Sequence, residues 1–161
     1  MRRRERIVYF EREPGAPAPL CVTVSRRAAF NEVDAMGIVW YGHYARYFEE
    51  AAAELGRRCG LSYRDFFAAG LRAPMVRFHV DYLGPLNLDE EFSVRGALIW
   101  NAGARMNTEY AIAKSDGTLA ARGYTVQLFV PADGGAACFA TPPLLERCRR
   151  RWSAGEFRDL Q

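Results

Sequence analysis

The hydrophobic positions of this chain follow two different periods. Over residues 42–58 the apolar side chains recur every three or four positions, which predicts a long amphipathic helix whose apolar stripe a sheet can cover. Beyond that helix the pattern changes to period two, which predicts strands. The predicted strands are residues 22–30, 74–83, 91–100, 105–114 and 119–130, with further candidates near 136–140 and at 7–10.

Turn signals define how these elements connect. Asn101-Ala102-Gly103 and Asp116-Gly117 are hairpin turns, so the strands beside them should form an antiparallel meander. Ser62 begins a short second helix that Gly70 ends, and Pro142-Pro143 begins a terminal helix. One strand, a long helix and a meander together predict the α+β class, with an antiparallel sheet wrapped around a long central helix.

The chain divides into an N-terminal extension (residues 1–20), a central domain (21–141) and a basic C-terminal helix or tail (142–161). The net charge of +3 comes from the ends, with Arg2, Arg3, Arg4 and Arg6 at one and Arg147, Arg149, Arg150 and Arg151 at the other. These basic runs have no interleaved aromatic residues, which argues against a nucleic-acid partner. We expect solvated, partly disordered ends.

Size and cysteine usage narrow the class of protein. At 161 residues the chain is long enough for one domain with a sizeable apolar core. Its four cysteines form no Cys-x-x-Cys pair, which argues against a zinc site or a disulfide framework and favours a reducing compartment. No apolar run approaches the roughly 20 residues that span a bilayer, and no signal-type segment follows the charged start. We therefore expect a cytoplasmic protein with no metal site and no membrane partner.

The strongest chemical signal lies at the start of the long helix. Asp34 stands in a turn that leads through Gly37 into the pair Trp40-Tyr41 and the helix. A helix start has unpaired backbone N–H groups and the positive end of the helix dipole, which can hold a developing oxyanion. A carboxylate beside such a site indicates acyl-transfer chemistry. The alternative is that Asp34 only forms an Asx turn.

This segment resembles a known family. The positions that fit its signature are Asp34, Gly37, Val39, Trp40, Tyr41, Tyr44, Phe48 and Ala51. They resemble the hotdog-fold thioesterases of the 4-hydroxybenzoyl-CoA thioesterase type, over about residues 22–130. The resemblance implies the hotdog fold and an Asp34 that acts on a thioester as nucleophile or as base toward water. It also implies that the backbone N–H groups of Tyr41 and Gly42 polarise the carbonyl, with Gly42 permitting close approach of the substrate.

The implied activity is hydrolysis of an acyl-CoA, with coenzyme A entering only as part of the substrate and with no other cofactor. The Trp40-Tyr41 pair resembles that of the members with aromatic acyl substrates, which favours benzoyl-type groups. Three alternatives stay open. The chain can be a thioesterase for acyl carrier proteins, or a non-catalytic module that binds acyl thioesters. A helix-borne acid, Glu49 or Glu50, can also replace Asp34, as in another branch of the fold.

Several further side chains are candidates for substrate binding. Trp40 and His43 flank the helix start, and His43 stands where the family commonly has Asn, so it either contacts the substrate or is a polar first-turn residue. The candidates for an acyl pocket beside the helix start, or else for the core, are Tyr63, Phe66, Phe67, Met75 and Phe78. Arg105 lies in the hairpin that meets the CoA phosphates in some family members, with Arg77, Arg95 and Arg122 as alternatives.

Two other ionisable residues lie near these candidates. Glu32 either tunes Asp34 by like-charge repulsion or is a solvated acid at the end of a strand. His79 alternates with the apolar residues of its strand and is predicted to be structural. The dehydratase branch of the fold is disfavoured, because neither His43 nor His79 has an aspartate five residues before it.

A single sheet wrapped on one helix leaves strand edges exposed, and such edges invite pairing with another chain. The resemblance implies a homodimer joined edge to edge, or a homotetramer of such dimers, with each active site completed by the partner. Residues 74–83 are the predicted seam, because apolar side chains alternate along them.

Overall fold

The computed structural model of the protein describes residues 8–161. Its strands are β1 (Leu20–Arg27), β2 (Leu71–Arg72), β3 (Met75–Tyr82), β4 (Glu91–Ile99), β5 (Arg105–Lys114), β6 (Leu119–Leu128) and β7 (Val130–Pro131), and its α-helices are α1 (Tyr44–Cys59), α2 (Tyr63–Ala68) and α3 (Pro143–Ser153). The main sheet has the antiparallel order β1-β4-β5-β6-β3, and β2 pairs with β7. The predicted α+β hotdog architecture is confirmed. None of the helices within residues 8–161 is long and apolar enough to cross a membrane.

Helix α1 packs on the inner face of the sheet, mainly against β1 and β4. The predicted apolar stripe faces the strands, with Tyr47, Phe48, Ala51 and Leu55 buried. Gly96 of β4 lets the helix come close, because a Cβ at this position would lie 3.2 Å from the Cβ of Ala51. The ring of Phe48 stacks on Tyr110 of β5, with centroids 4.3 Å apart. This packing fixes the position of the helix start at one end of the sheet.

The C-terminal segment belongs to the core. Helix α3 begins at the predicted prolines, and its buried side chains and those that follow are Leu144, Leu145, Cys148, Trp152, Phe157 and Leu160. They pack against the second half of α1, and the indole N–H of Trp152 donates to the carbonyl of Ala18 at 2.9 Å. The prediction of a solvated C-terminal end is wrong, because the arginines cover only one side of an amphipathic helix.

Residues 8–19 cross the outer face of the sheet and add no strand to it. The predicted strand at 7–10 falls partly outside the described residues, and residues 8–10 are irregular. Glu109 accepts the N–H groups of Tyr9 and Phe10 at 3.1 Å each, and the hydroxyl of Tyr9 donates to Asp81 at 2.5 Å. The segment is therefore attached through side-chain acceptors on β5 and β3. The basic run of residues 2–6 lies outside the described residues.

Two strand predictions need correction. Strand β1 ends at Arg27, because residues 28–32 leave the sheet and form a 3-10 turn (Phe30–Glu32) before Asp34. Residues 136–140 are irregular, and the pairing of β7 with β2 takes the place of the strand predicted there. Within residues 8–161 the main sheet has five strands, and the candidate strand at 136–140 adds none.

Strands β1 and β3 are the two edges of the main sheet. On β3 the side chains of Met75, Val76, Phe78 and Tyr82 are 43–51% exposed although they are apolar or aromatic. A register shift between Met75 and Arg77 places Val76 in a bulge. The edge predicted as a seam is thus a row of unpaired backbone groups beside an exposed apolar surface.

Candidate active site

Asp34 occupies the first position of a tight turn. Its N–H donates to the carbonyl of Ile38 at 2.9 Å, and its carbonyl accepts the N–H of Gly37 at 2.9 Å. Its Oδ1 accepts the N–H of Met36 at 2.8 Å, so Asp34 does form the Asx turn. Among residues 8–161, nothing donates to its Oδ2. One carboxylate oxygen is therefore structural, and the other is available for chemistry.

The loop before β4 holds this turn in place. The N–H of Val39 donates to the carbonyl of Leu86 at 2.8 Å, and the N–H of Leu88 donates to the carbonyl of Gly37 at 3.2 Å. Leu86 is fully buried in the cluster that surrounds the first half of α1. This supporting role was not predicted, because the pattern of residues 74–83 and 91–100 indicates only two strands with a loop between them.

Glu32 is a buried anchor for the same turn, and the prediction of a solvated acid is wrong. Its side chain is only 2% exposed, with Oε1 accepting Arg26 Nη2 at 2.8 Å and Oε2 accepting the N–H of Ala29 at 2.9 Å. Arg26 also pairs with Glu50 of α1 and lies over the ring of Tyr47, 5.0 Å from its centroid. Burial, and then the charge of Glu32, raises the pKa of Tyr47. This network ties β1, the turn and α1 together.

The helix start presents two unpaired amides. A 3-10 turn (Tyr41–His43) precedes α1, and the N–H of His43 donates to the carbonyl of Trp40 at 3.0 Å. The N–H groups of Tyr41 and Gly42 find no acceptor among residues 8–161. The N–H of Trp40 donates to the carbonyl of Glu32 at 2.9 Å, which holds the helix start beside the Asp34 turn. This arrangement can place a carbonyl oxygen on the two amides and a carboxylate close to its carbon.

Aromatic rings surround these amides. A Cβ on Gly42 would lie 2.1 Å from Trp40 Cζ3, so the indole covers the face of Gly42 that was predicted to receive the substrate. His43 packs edge-on against Trp40, with ring centroids 5.5 Å apart. The hydroxyl of Tyr82, on β3, donates to the carbonyl of Tyr41 at 2.8 Å. Tyr82 was not predicted, because nothing in its own segment indicates a contact 41 residues away.

Three of the residues predicted to line an acyl pocket, Phe66, Phe67 and Met75, are not beside the helix start of their own chain, whereas Phe78 packs against Phe48 of α1. Phe66, Phe67 and Met75 lie near the end of α1 and the beginning of β3, whereas Tyr82 at the other end of β3 marks the helix start. Seven residues of strand correspond to about 23 Å. Phe66 is buried in the core, and Phe67 is 66% exposed beside an apolar groove of about 330 Å³. The sequence could not show this, because strand direction separates the two groups.

The predicted phosphate ligand, Arg105, is also distant from Asp34. It follows the turn at the far end of the β4–β5 hairpin, where Arg149 of α3 donates to the carbonyl of Gly103 at 2.5 Å. The alternatives differ in their contacts. Arg95 contacts Cys21, and Arg122 contacts Asp81 at 3.4 Å.

The other ionisable residues considered for the active site differ in the partners of their side chains. Glu50 is paired with Arg26 and with Arg46, the latter at 3.7 Å, and is thereby occupied. Glu49 is exposed and accepts only the Tyr63 hydroxyl at 3.4 Å among the described residues. His79 lies on the outer face with Asp81, 3.0 Å away, and stacks on Tyr124. Within residues 8–161, no three His, Cys, Asp or Glu side chains converge where a metal ion could bind.

The fold and the carboxylate at a helix start define the class of protein. A family model described as the thioesterase-like superfamily matches residues 28–148. The chain therefore belongs to the thioesterase-like superfamily, and the predicted resemblance is confirmed.

Known relatives agree with this assignment. A solved hypothetical protein from Aquifex aeolicus is 30% identical, with 79% of this chain and 98% of that one covered and a TM-score of 0.70. The fold also matches a DHNA-CoA thioesterase from Staphylococcus aureus at 23% identity, with coverage of 86% and 95% and a TM-score of 0.74. A curated Aquifex aeolicus protein named "Putative esterase" is 41% identical over 69 residues, which are 43% of this chain and 54% of that protein. The chain thus spans about half the length of that curated relative.

Proposed function

We propose that this protein hydrolyses acyl-CoA thioesters, with Asp34 and the amides at the start of α1 as the catalytic groups. The observation that carries the proposal is the adjacency of an available carboxylate oxygen and two unpaired amides within one short segment. The superfamily membership supports the same reaction class. The DHNA-CoA thioesterase that shares the fold makes a coenzyme A thioester with an aromatic acyl group a suitable first substrate.

In this mechanism the thioester carbonyl oxygen accepts the N–H groups of Tyr41 and Gly42. These amides, together with the positive end of the α1 dipole, stabilise the negative charge that forms on the oxygen. Asp34 Oδ2 attacks the carbonyl carbon or takes a proton from the water that attacks it. When Asp34 is the nucleophile, the thiolate of coenzyme A leaves, and water then hydrolyses the acyl anhydride on Asp34 and supplies the proton that the thiolate takes up. When Asp34 is the base, the adduct formed by water expels the thiolate, which takes the proton from Asp34. Either route gives the thiol of coenzyme A and the free acid.

The test is steady-state hydrolysis of a panel of aromatic and aliphatic acyl-CoA substrates by wild type and Asp34→Asn. Asn can still form the Asx turn, so the variant should fold but lose at least about 100-fold in kcat, because it supplies neither a nucleophile nor a base. Asp116→Asn is the matched control. Asp116 makes the same kind of turn, accepting the N–H of Thr118 at 2.8 Å, and its variant should keep wild-type activity.

The outcomes separate the alternatives. A wild type that cleaves no thioester in the panel but binds acyl-CoA would be a binding module. If Asp34→Asn kept full activity, catalysis would belong elsewhere, and Glu49 is the next candidate because Glu50 is held by two arginines. Faster cleavage of an acyl group on its carrier protein than on coenzyme A would identify the carrier protein as the substrate.

We further propose a homodimer through β3, with pairs of dimers as a possible homotetramer. Pairing two β3 strands antiparallel would cover the exposed edge. It would also bring the beginning of one β3 to the end of the other. Phe67 and Met75 of a second copy would then lie near Tyr41 and Tyr82, where the acyl pocket is needed.

A further inference from the structure

Tyr82 contacts the peptide group between Tyr41 and Gly42, and the orientation of this peptide decides where the N–H of Gly42 points. Its hydroxyl donates to the carbonyl of Tyr41 at 2.8 Å. That carbonyl belongs to the same planar peptide as the N–H of Gly42, and in a trans peptide the two groups point in opposite directions. Fixing the carbonyl therefore fixes the direction of the Gly42 N–H.

Little else restrains this peptide from outside the helix. Tyr41 and Gly42 are both exposed, and the Tyr41 side chain makes no hydrogen bond within residues 8–161. The 3-10 turn has no side-chain cap. An exposed first turn without a cap frays easily, so a single hydrogen bond from another element has a large effect on its orientation.

Tyr82 is itself well placed as a donor. Its ring packs edge-on against the buried ring of Tyr44, with centroids 4.9 Å apart and planes at 85°. Partial burial raises the pKa of the Tyr82 hydroxyl, so the group stays protonated at neutral pH and keeps its hydrogen to donate. The ring contact sets the direction of the hydroxyl. The pairing of β3 with β6 holds the backbone of Tyr82 in place.

We propose that Tyr82 is a positioning residue that orients the Gly42 amide toward the thioester carbonyl oxygen. The inference rests on the proposed hydrolase function. Tyr82 touches no reacting atom in this role, and it acts through the Tyr41–Gly42 peptide alone.

The first test compares Tyr82→Phe with Tyr44→Phe in steady-state hydrolysis. Tyr82→Phe keeps the ring but removes the donor, and we expect kcat/KM to fall about 5- to 10-fold, because the oriented amide binds the carbonyl oxygen in the bound substrate and in the transition state. Tyr44→Phe is the matched control, because the Tyr44 hydroxyl makes no hydrogen bond within residues 8–161. Its kcat/KM should stay at the wild-type value.

The second test uses two non-hydrolysable analogues of an accepted substrate, measured by calorimetry. One is a ketone that keeps the carbonyl and replaces sulfur with methylene, and the other is a thioether that lacks the carbonyl. Tyr82→Phe should weaken ketone binding about fivefold and leave thioether binding unchanged, because only the ketone uses the oriented amide. A merely structural loss would weaken both alike.

The results distinguish this inference from the function on which it rests. An active wild type whose Tyr82→Phe variant keeps full kcat/KM and full ketone affinity overturns the positioning role and leaves the hydrolase proposal intact. Equal weakening of both analogues also overturns it. A wild type that is inactive on every thioester overturns both proposals.

Discussion

At the scale of single residues, the two oxygens of Asp34 have different tasks. Oδ1 is bound by the amide of Met36, and Oδ2 accepts nothing from the described part of the chain. Asp34 can therefore form the Asx turn and also take the proposed role in hydrolysis, because each role uses a different oxygen. Gly42 likewise combines two features. Its missing Cβ leaves room for the Trp40 ring on one side, and its N–H has no acceptor among residues 8–161.

Two glycine variants distinguish an effect on activity from an effect on stability. Gly42→Ala should lower kcat/KM by about tenfold or more with little loss of stability, because the new Cβ displaces an exposed indole beside the amides. Gly117→Ala should do the reverse. Gly117 has φ +80 in an open turn, so alanine there should cost about 1 kcal/mol in unfolding free energy and no activity. Hydrolysis rates and urea unfolding of both variants check this, and an active Gly42→Ala with its indole displaced would contradict it.

At the scale of elements, the site depends on segments that have no regular structure. The Asp34 turn is held by the backbone of Leu86 and Leu88 on one side and by the Glu32–Arg26 pair on the other. The helix dipole matters only because these contacts bring the carboxylate to the helix start. The stability of the turn is thus set by long-range contacts, since its own sequence provides only local turn signals.

The Glu32 anchor gives a prediction about stability. Glu32→Gln should lower the unfolding free energy by about 2 to 4 kcal/mol, because it leaves Arg26 short of a charge partner in a poorly solvated position. Glu91→Gln is the control, since Glu91 pairs with the neighbouring Arg27 but both side chains are more than half exposed. That variant should lose no more than about 1 kcal/mol. Urea denaturation of both measures the difference, and equal losses would show that burial of the pair is unimportant.

At the scale of the whole molecule, one chain leaves its proposed site unfinished. The proposed catalytic groups lie at one end of β3, and the apolar groove beside Phe67 lies at the other. Among residues 8–161 no further strand pairs with either edge of the main sheet, and of the two edge strands β3 alone carries this exposed apolar row. An antiparallel pair of β3 strands would satisfy the backbone groups, bury the apolar row and complete two sites at once.

Light scattering with activity measurements tests this assembly. At micromolar concentration we expect a mass of at least two 18.2 kDa chains, with an interface above roughly 1,000 Å². Val76→Asp on β3 should yield monomers without activity, whereas Phe30→Asp, which places a charge at an exposed site beyond the opposite edge strand, should keep the assembly. An active species with the mass of one chain would contradict both the seam and the shared pocket.

The sequence alone determined the local part of this protein. The helix that became α1, the meander of β4 to β6, the hairpin turns and the Asp34 turn at a helix start all follow from signals within a few residues. Period and turn chemistry act locally, so the predictions from them hold even though their bounds shift by a few positions.

Only the tertiary structure decided the pairs that are distant in sequence. It joined Glu32 to Arg26, Tyr82 to Tyr41 and α3 to the end of α1, and it moved the predicted pocket residues away from Asp34. Each of these depends on which faces meet and in which direction the strands run. A local residue pattern does not determine which distant segments meet, because identical side chains are buried or solvated according to what packs against them.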